Sequence, residues 1–243
     1  MKKYICLLMS LVILMMTVGC AALDGGTPTL PTDETSTQPT EDTPVLPPAR
    51  WGNGMYVSFS GQVSFEDALE NADAIARIRI GDWLCEDTEG FESFFEAEVL
   101  ECIKGELPQT FVLAQFGNSI HSACLLFTYG NELFVFLERL KIEPFEALFE
   151  NTDFQMYATR GEYQSVFDVS YDKNGKRYYC DTYGAVGKGM DEYLPSLYET
   201  DRELFKEVYD YAMEDDPVRK TAGRRYKYVF AEDDVIALIQ QYE

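Results

Sequence analysis

A run of 27 residues, Asp24 to Arg50, holds six prolines and seven threonines, scattered acids and no aromatic side chain. Such a stretch cannot bury enough apolar area to offset the entropy of ordering it, so it is expected to stay extended and solvated. Whatever folds in this chain must therefore be assembled from Trp51 onward, where aromatic and aliphatic residues become frequent. Stretched as polyproline II the run would reach about 80 Å, and as a coil about 30 Å. It reads as part of a spacer, residues 20–50, ahead of a globular part, residues 51–243, which is the size of one ordinary domain.

The residues before the spacer have the make-up of an export signal. They read MKKYICLLMSLVILMMTVGC: two lysines, an apolar stretch from Ile5 to Val18, and a small residue before Cys20. A membrane span needs about 20 apolar residues, and this stretch is shorter, with no basic flank behind it. Residues 1–19 are therefore expected to be a cleaved signal. The box Thr17-Val18-Gly19-Cys20, followed by Ala21, resembles the lipobox of bacterial lipoproteins, with Thr17 where that family usually has Leu. The resemblance implies cleavage before Cys20 and a diacylglycerol thioether on its sulfur. It also implies a lipid anchor in the membrane on the extracytoplasmic face. A plain secretion signal and an uncleaved anchor are the alternatives.

Charge narrows the partners. The chain carries 42 acidic and 20 basic residues, a formal net charge of −22. A surface of that sign repels nucleic acid and anionic headgroups, so neither is expected as a general partner. Solubility outside the cell explains the acids; divalent-cation or cationic-ligand binding is the sharper reading. Besides Cys20, the expected mature chain holds Cys85, Cys102, Cys124 and Cys180. In an exported domain these permit two disulfides in any of three connectivities, or free buried thiols. No Cys/His ligand spacing is present, so no metal is expected, and nothing in the sequence requires a cofactor.

The pattern of apolar residues predicts short elements. Ser64-Phe65-Glu66-Asp67 reads as a capped helix start, ending near Ala72. Strands are expected at Ile75–Leu84, Phe94–Ile103, Phe111–Phe116, Leu133–Leu137, Gln164–Val169 and Arg177–Cys180, the last two joined by the turn Asp172-Lys173-Asn174-Gly175. Thr200-Asp201-Arg202-Glu203 reads as a capping box before an apolar stripe of Leu204, Phe205, Val208, Tyr209 and Ala212. Pro217 stops that helix. Glu232, Asp233 and Asp234 place negative charge at the start of a last one, buried through Val235, Leu238, Ile239 and Tyr242. A helix, several strands and then helices predict an α+β fold.

Three segments carry a second resemblance: Ala72-Asp73-Ala74-Ile75, Val99-Leu100-Glu101-Cys102-Ile103-Lys104-Gly105, and Tyr129-Gly130-Asn131-Glu132-Leu133-Phe134-Val135-Phe136-Leu137. Together with the glycine-led stretch Gly161 to Val169, they are similar to bacterial exported domains of the TIMP-like, netrin-like type. The likeness covers residues 64–170. It implies a small OB-like antiparallel β-barrel at about 64–180, with an N-terminal helix and a helical C-terminal part at about 190–243. It does not bring an activity with it. Animal inhibitors of that type use a free N-terminal cysteine, which an acylated Cys20 behind a spacer cannot supply.

Candidates for chemistry are few. His121 is the only histidine, with Ser122 and Cys124 as the nearest nucleophiles; an ordinary loop histidine is the simpler reading. Asp172-x-Asn174-Gly175 lacks the later ligands of a calcium loop. Gly184-Ala185-Val186-Gly187-Lys188-Gly189 has Gly where a nucleotide loop needs Ser or Thr, so it reads as a flexible loop. Arg219, Lys220, Arg224, Arg225 and Lys227 locally reverse the charge, and with Tyr226 and Tyr228 they form a candidate patch for an anionic ligand. No catalytic residue is identifiable. The expectation is a membrane-anchored, extracytoplasmic binding module that recognises an envelope or extracellular ligand. A surface hydrolase working through carboxylates is the alternative, and a peptidase inhibitor by analogy of fold a third.

Overall fold

A computed structural model of the chain describes residues 62–87, 92–117, 127–181, 184–214, 226 and 228–242. The signal, the spacer, Cys20, His121, Ser122, Cys124 and the basic run Arg219, Lys220, Arg224, Arg225 and Lys227 lie outside the described residues. Those that are described form a β-rich α+β fold with helices at both ends.

Helix α1, Phe65–Asn71, starts where the sequence places it. Ser64 Oγ accepts the Asp67 N–H at 3.0 Å, and Phe65, Ala68 and Leu69 turn inward. Ala72 leaves the helix in extended conformation and the chain enters β1, Ala74–Asp87. β1 pairs antiparallel with β2, Glu92–Lys104, through several register shifts. β2 pairs with β3, Thr110–Phe116, and β3 runs parallel to β5, Met156–Thr159. β5 pairs with β4, Glu132–Leu140, and β4 returns to β1. The pairings thus come back to their starting strand, and five strands ring round. Alternate residues from all five, among them Ile78, Phe95, Leu113, Val135 and Tyr157, make one buried cluster, which fills the space inside.

The sheet does not stop at the ring. One edge of β4 takes β5 over Leu137–Leu140, and then β6, Val166–Tyr171, over Leu133–Val135. A 3-10 turn, Glu162–Ser165, separates the two. Gly161 there has φ +64°, and a Cβ would lie 2.3 Å from Val63 Cγ2, so only glycine fits. β6 leads to β7, Arg177–Asp181, and β7 pairs with β8, Tyr228–Ala231. The β6–β7 connection is the tight turn expected: Asp172 Oδ1 accepts the N–H groups of Asn174 and Lys176 at 2.8 and 2.9 Å. β8 is the last strand, and its free edge is blunted by a serine. Val229 N–H donates to Ser196 Oγ at 3.0 Å, while that hydroxyl reaches back to the Val229 carbonyl at 3.4 Å.

Helices cover the outside. The short α2, Ala185–Met190, packs on α1, and α5, Glu232–Gln240, packs with them over Phe134, Phe136 and Tyr179. Rings of Phe134 and Tyr179 stack at 4.1 Å in the middle of this layer. A one-turn helix, α3, Leu197–Thr200, precedes α4, Arg202–Glu214, which lays Val208 and Ala212 on Tyr178, Cys180 and Val229.

Several expectations are corrected. The glycine run 184–189 is not a flexible loop but most of helix α2, held at its start by Asp181, whose two oxygens accept the Gly184 and Gly187 N–H groups at 2.6 Å each. Gly187 is glycine because a Cβ would lie 2.2 Å from Asp181 Oδ2, and Gly189 because one would lie 2.8 Å from Phe65 Cβ. The cap of α4 is Asp201, which accepts the Leu204 N–H at 3.0 Å, while Thr200 ends α3. β6 begins at Val166 rather than Gln164, and Tyr242 is exposed rather than buried. Two strands, β5 and β8, were not anticipated. β8 lies inside the stretch expected to be helical, and the β3–β5 pair is parallel where an antiparallel arrangement was expected.

Candidate functional site

The outward row of β1 reads Ile75, Arg77, Arg79. Its register against β4 sets Ile75 opposite Phe136, Arg77 opposite Phe134 and Arg79 opposite Glu132. The row is therefore apolar where the helices cover it and cationic where they stop. Arg77 sits at that boundary, its side chain only 11% exposed. Its Nη1 lies 3.2 Å from Glu132, its Nη2 3.5 Å from Glu101, and its Nε 3.6 Å from Glu232 at the start of α5. Arg79, farther out, pairs with Glu132 at 3.0 Å and Glu98 at 3.1 Å. From the far side Arg177 Nε reaches Glu232 at 2.6 Å. Two tyrosines complete the acceptors: Tyr171 O–H donates to Glu132 at 3.0 Å, and Tyr179 O–H to Glu232 at 2.9 Å.

This network shifts the titration of several of its members. Burial pulls the Glu132 carboxyl upward, but hydrogen bonds from Arg79 and Tyr171 and the charges of Arg77 and Arg79 outweigh it, leaving it below the usual carboxylate range. The bond to Glu132 in turn raises Arg79. Burial, then the Glu232 charge, pushes the Tyr179 phenol far above its ordinary value, so it stays protonated and donates to Glu232. Burial and Glu132 raise Tyr171 as well.

Beside the network a polar cleft of about 390 Å³ opens, lined by Tyr171, Gly175, Lys176, Arg177, Glu232 and Asp233. The β6–β7 turn forms one wall and the first turn of α5 the other. Lys176 and Asp233 face each other at 3.9 Å.

The sequence-derived sites fare differently. Tyr226 and Tyr228, expected to flank a basic patch, are both buried, and Tyr226 O–H donates to the buried Asp168 at 2.6 Å. They support the fold and cannot face a ligand alongside those arginines. Cys85 and Cys102 are free thiols, Cys85 half-buried and Cys102 exposed, while Cys180 is fully buried in the core. Burial, with Asp87 and Glu86 nearby, raises the Cys85 thiol, which suppresses thiolate. The reading missed Arg77, Arg177 and Glu232 as a group. One signal was available: Arg77 and Arg79 are two apart in an otherwise apolar strand and so share a face.

What the arrangement offers is a set of paired charges. A carboxylate hydrolase needs one carboxyl held up near the working pH, and Glu132 is held down. The described carboxyls that burial raises, Glu92 and Glu162, lie elsewhere, at the start of β2 and in the 3-10 turn. Among the described residues no group of three or more His, Cys, Asp or Glu is placed to hold a metal ion. No protein-family model matches the chain. No curated protein matches it either.

Proposed function

We propose that this protein is a membrane-anchored extracytoplasmic lipoprotein whose folded body binds a ligand without transforming it. The observation that carries the reading is the order of parts in the sequence: a basic and apolar leader, the Gly19-Cys20 junction, a Pro/Thr-rich spacer, then a folded body. Lipid on Cys20 holds the chain at the membrane, with two or more acyl chains needed for a stable hold, and the spacer sets the body off from the bilayer. In this reading the five-strand ring is an OB-like barrel of the TIMP-like, netrin-like kind. The strand order β1-β2-β3-β5-β4, closing on β1, supports it. Binding is preferred to hydrolysis because the half-buried carboxylate of the charged network, Glu132, is held ionised and fully bonded.

Fractionation of cells carrying the chain with Cys20 or with Cys20→Ser tests the anchor. The original chain is expected in the membrane fraction and the variant outside it. Equal partition of the two contradicts the reading.

A further inference from the structure

The groups lining the cleft differ in how far they are already committed. Glu232 is saturated, with one oxygen on Tyr179 O–H and the other on Arg177 Nε. Arg177 is engaged through Nε alone, so among the described residues its two terminal nitrogens meet no carboxylate. Lys176 and Asp233 form the loose pair, 3.9 Å apart with side chains 48% and 79% exposed. Gly175 leaves the rim open, since a Cβ there would meet nothing within 4 Å. The cleft thus presents the terminal nitrogens of Arg177 beside a Lys176 and an Asp233 held only by their long mutual contact and, for Lys176, by the Tyr178 ring at 5.9 Å.

That combination selects against a ligand of one sign. A lone ammonium would meet Lys176 and Arg177. A lone carboxylate would meet Asp233 and approach through the field of a chain with net charge −22. A molecule that is neutral overall but carries both charges a few ångströms apart avoids both penalties. It exchanges the loose Lys176–Asp233 contact for two charge-assisted ones. The volume, about 390 Å³, falls within the range of about 300–1,000 Å³ usual for small-molecule sites.

We propose that the cleft binds a free α-amino acid, with its carboxylate on Arg177 and Lys176, its ammonium on Asp233 and its side chain toward Tyr171. This rests on the binding-module reading and names its ligand class. The test titrates the full chain in detergent with each common L-amino acid in turn, followed by calorimetry. Saturable binding of at least one is expected. Lys176→Ala and Asp233→Ala should each weaken it about tenfold, the loss of roughly one charge-assisted hydrogen bond. Capping the bound amino acid as its N-acetyl or carboxamide derivative should weaken it at least as much. Both substituted side chains are exposed, so an unchanged thermal midpoint is expected to accompany the loss. Absence of saturable binding at millimolar concentration overturns the proposal, and so does binding that neither substitution nor capping alters. A chain that ignores amino acids yet still captures a partner from envelope extract fails this assignment while keeping the broader reading.

Discussion

Arg77 and Arg79 are chemically identical and two residues apart, yet the structure gives them different tasks. Arg77 is nearly enclosed and faces three carboxylates, one of them Glu232, whose side chain is 8% exposed. Arg79 and its partner Glu98 are each 45% exposed. Removing Arg77 leaves Glu132 and Glu232 with one cation each, Arg79 and Arg177, and takes a nearly enclosed charge out of the network, so Arg77→Ala is expected to cost about 3 kcal/mol. Arg79→Ala should cost about 0.5 kcal/mol, in the range of solvent-exposed pairs. Urea midpoints of the two variants measure the contrast, and equal losses would mean that the burial difference has no energetic weight. Glu132 gives the pH side of the same network. Its folded carboxyl lies below the ordinary value of 4.5, so the stability it adds is fully present above that value and is lost as pH falls through the folded pKa. Glu132→Gln should flatten the acid limb of a stability–pH curve. A limb of unchanged steepness would assign acid sensitivity to other carboxylates. Same-face spacing made the two arginines legible as a pair. Their partners were not, because Glu132 lies 55 residues away and only strand register brings it opposite.

At the scale of elements, legibility followed the strength of the local signal. Helix α1 was readable because a capping serine and an apolar set at 65, 68 and 69 agree. The β6–β7 turn was readable because Asp172 and Gly175 have the chemistry a tight turn requires. β5 was missed: four residues after a polar run give no alternation to read, and its place is set by β3 and β4 on either side. β8 was missed because Tyr228–Ala231 runs straight into α5, so its period is lost in the helix that follows. Gln164 and Ser165 were expected in the strand that follows Gly161, yet they belong to the 3-10 turn that moves the chain from β5 to β6, where both are buried. One side chain caps the unexpected edge strand. Ser196→Ala strips the Val229 N–H of its acceptor in a buried position, and a loss of about 1–3 kcal/mol is expected. Hydrogen exchange should show Val229 losing protection ahead of β7. Uniform loss across both strands, or none, would mean that the serine does not hold the edge.

For the whole molecule, the class of fold was legible, a β-rich α+β body. Alternation, turn chemistry and caps together determine a β-rich body flanked by helices, because each acts over a few residues. The cleft was not legible, since its walls are the β6–β7 turn and the start of α5, which share no local pattern. The two tyrosines interleaved with the basic run lie in the core, the run itself lies outside the described residues, and the cleft is a candidate site among the described ones. Both the binding reading and the spacer depend on the chain being held at a membrane by its own processed end. The most direct test is the intact mass of the protein extracted from membranes of a producing cell. The account predicts a chain that begins at Cys20 and carries a thioether-linked diacylglycerol on that sulfur. A chain that retains residues 1–19, or one that begins elsewhere with an unmodified thiol at position 20, would contradict it.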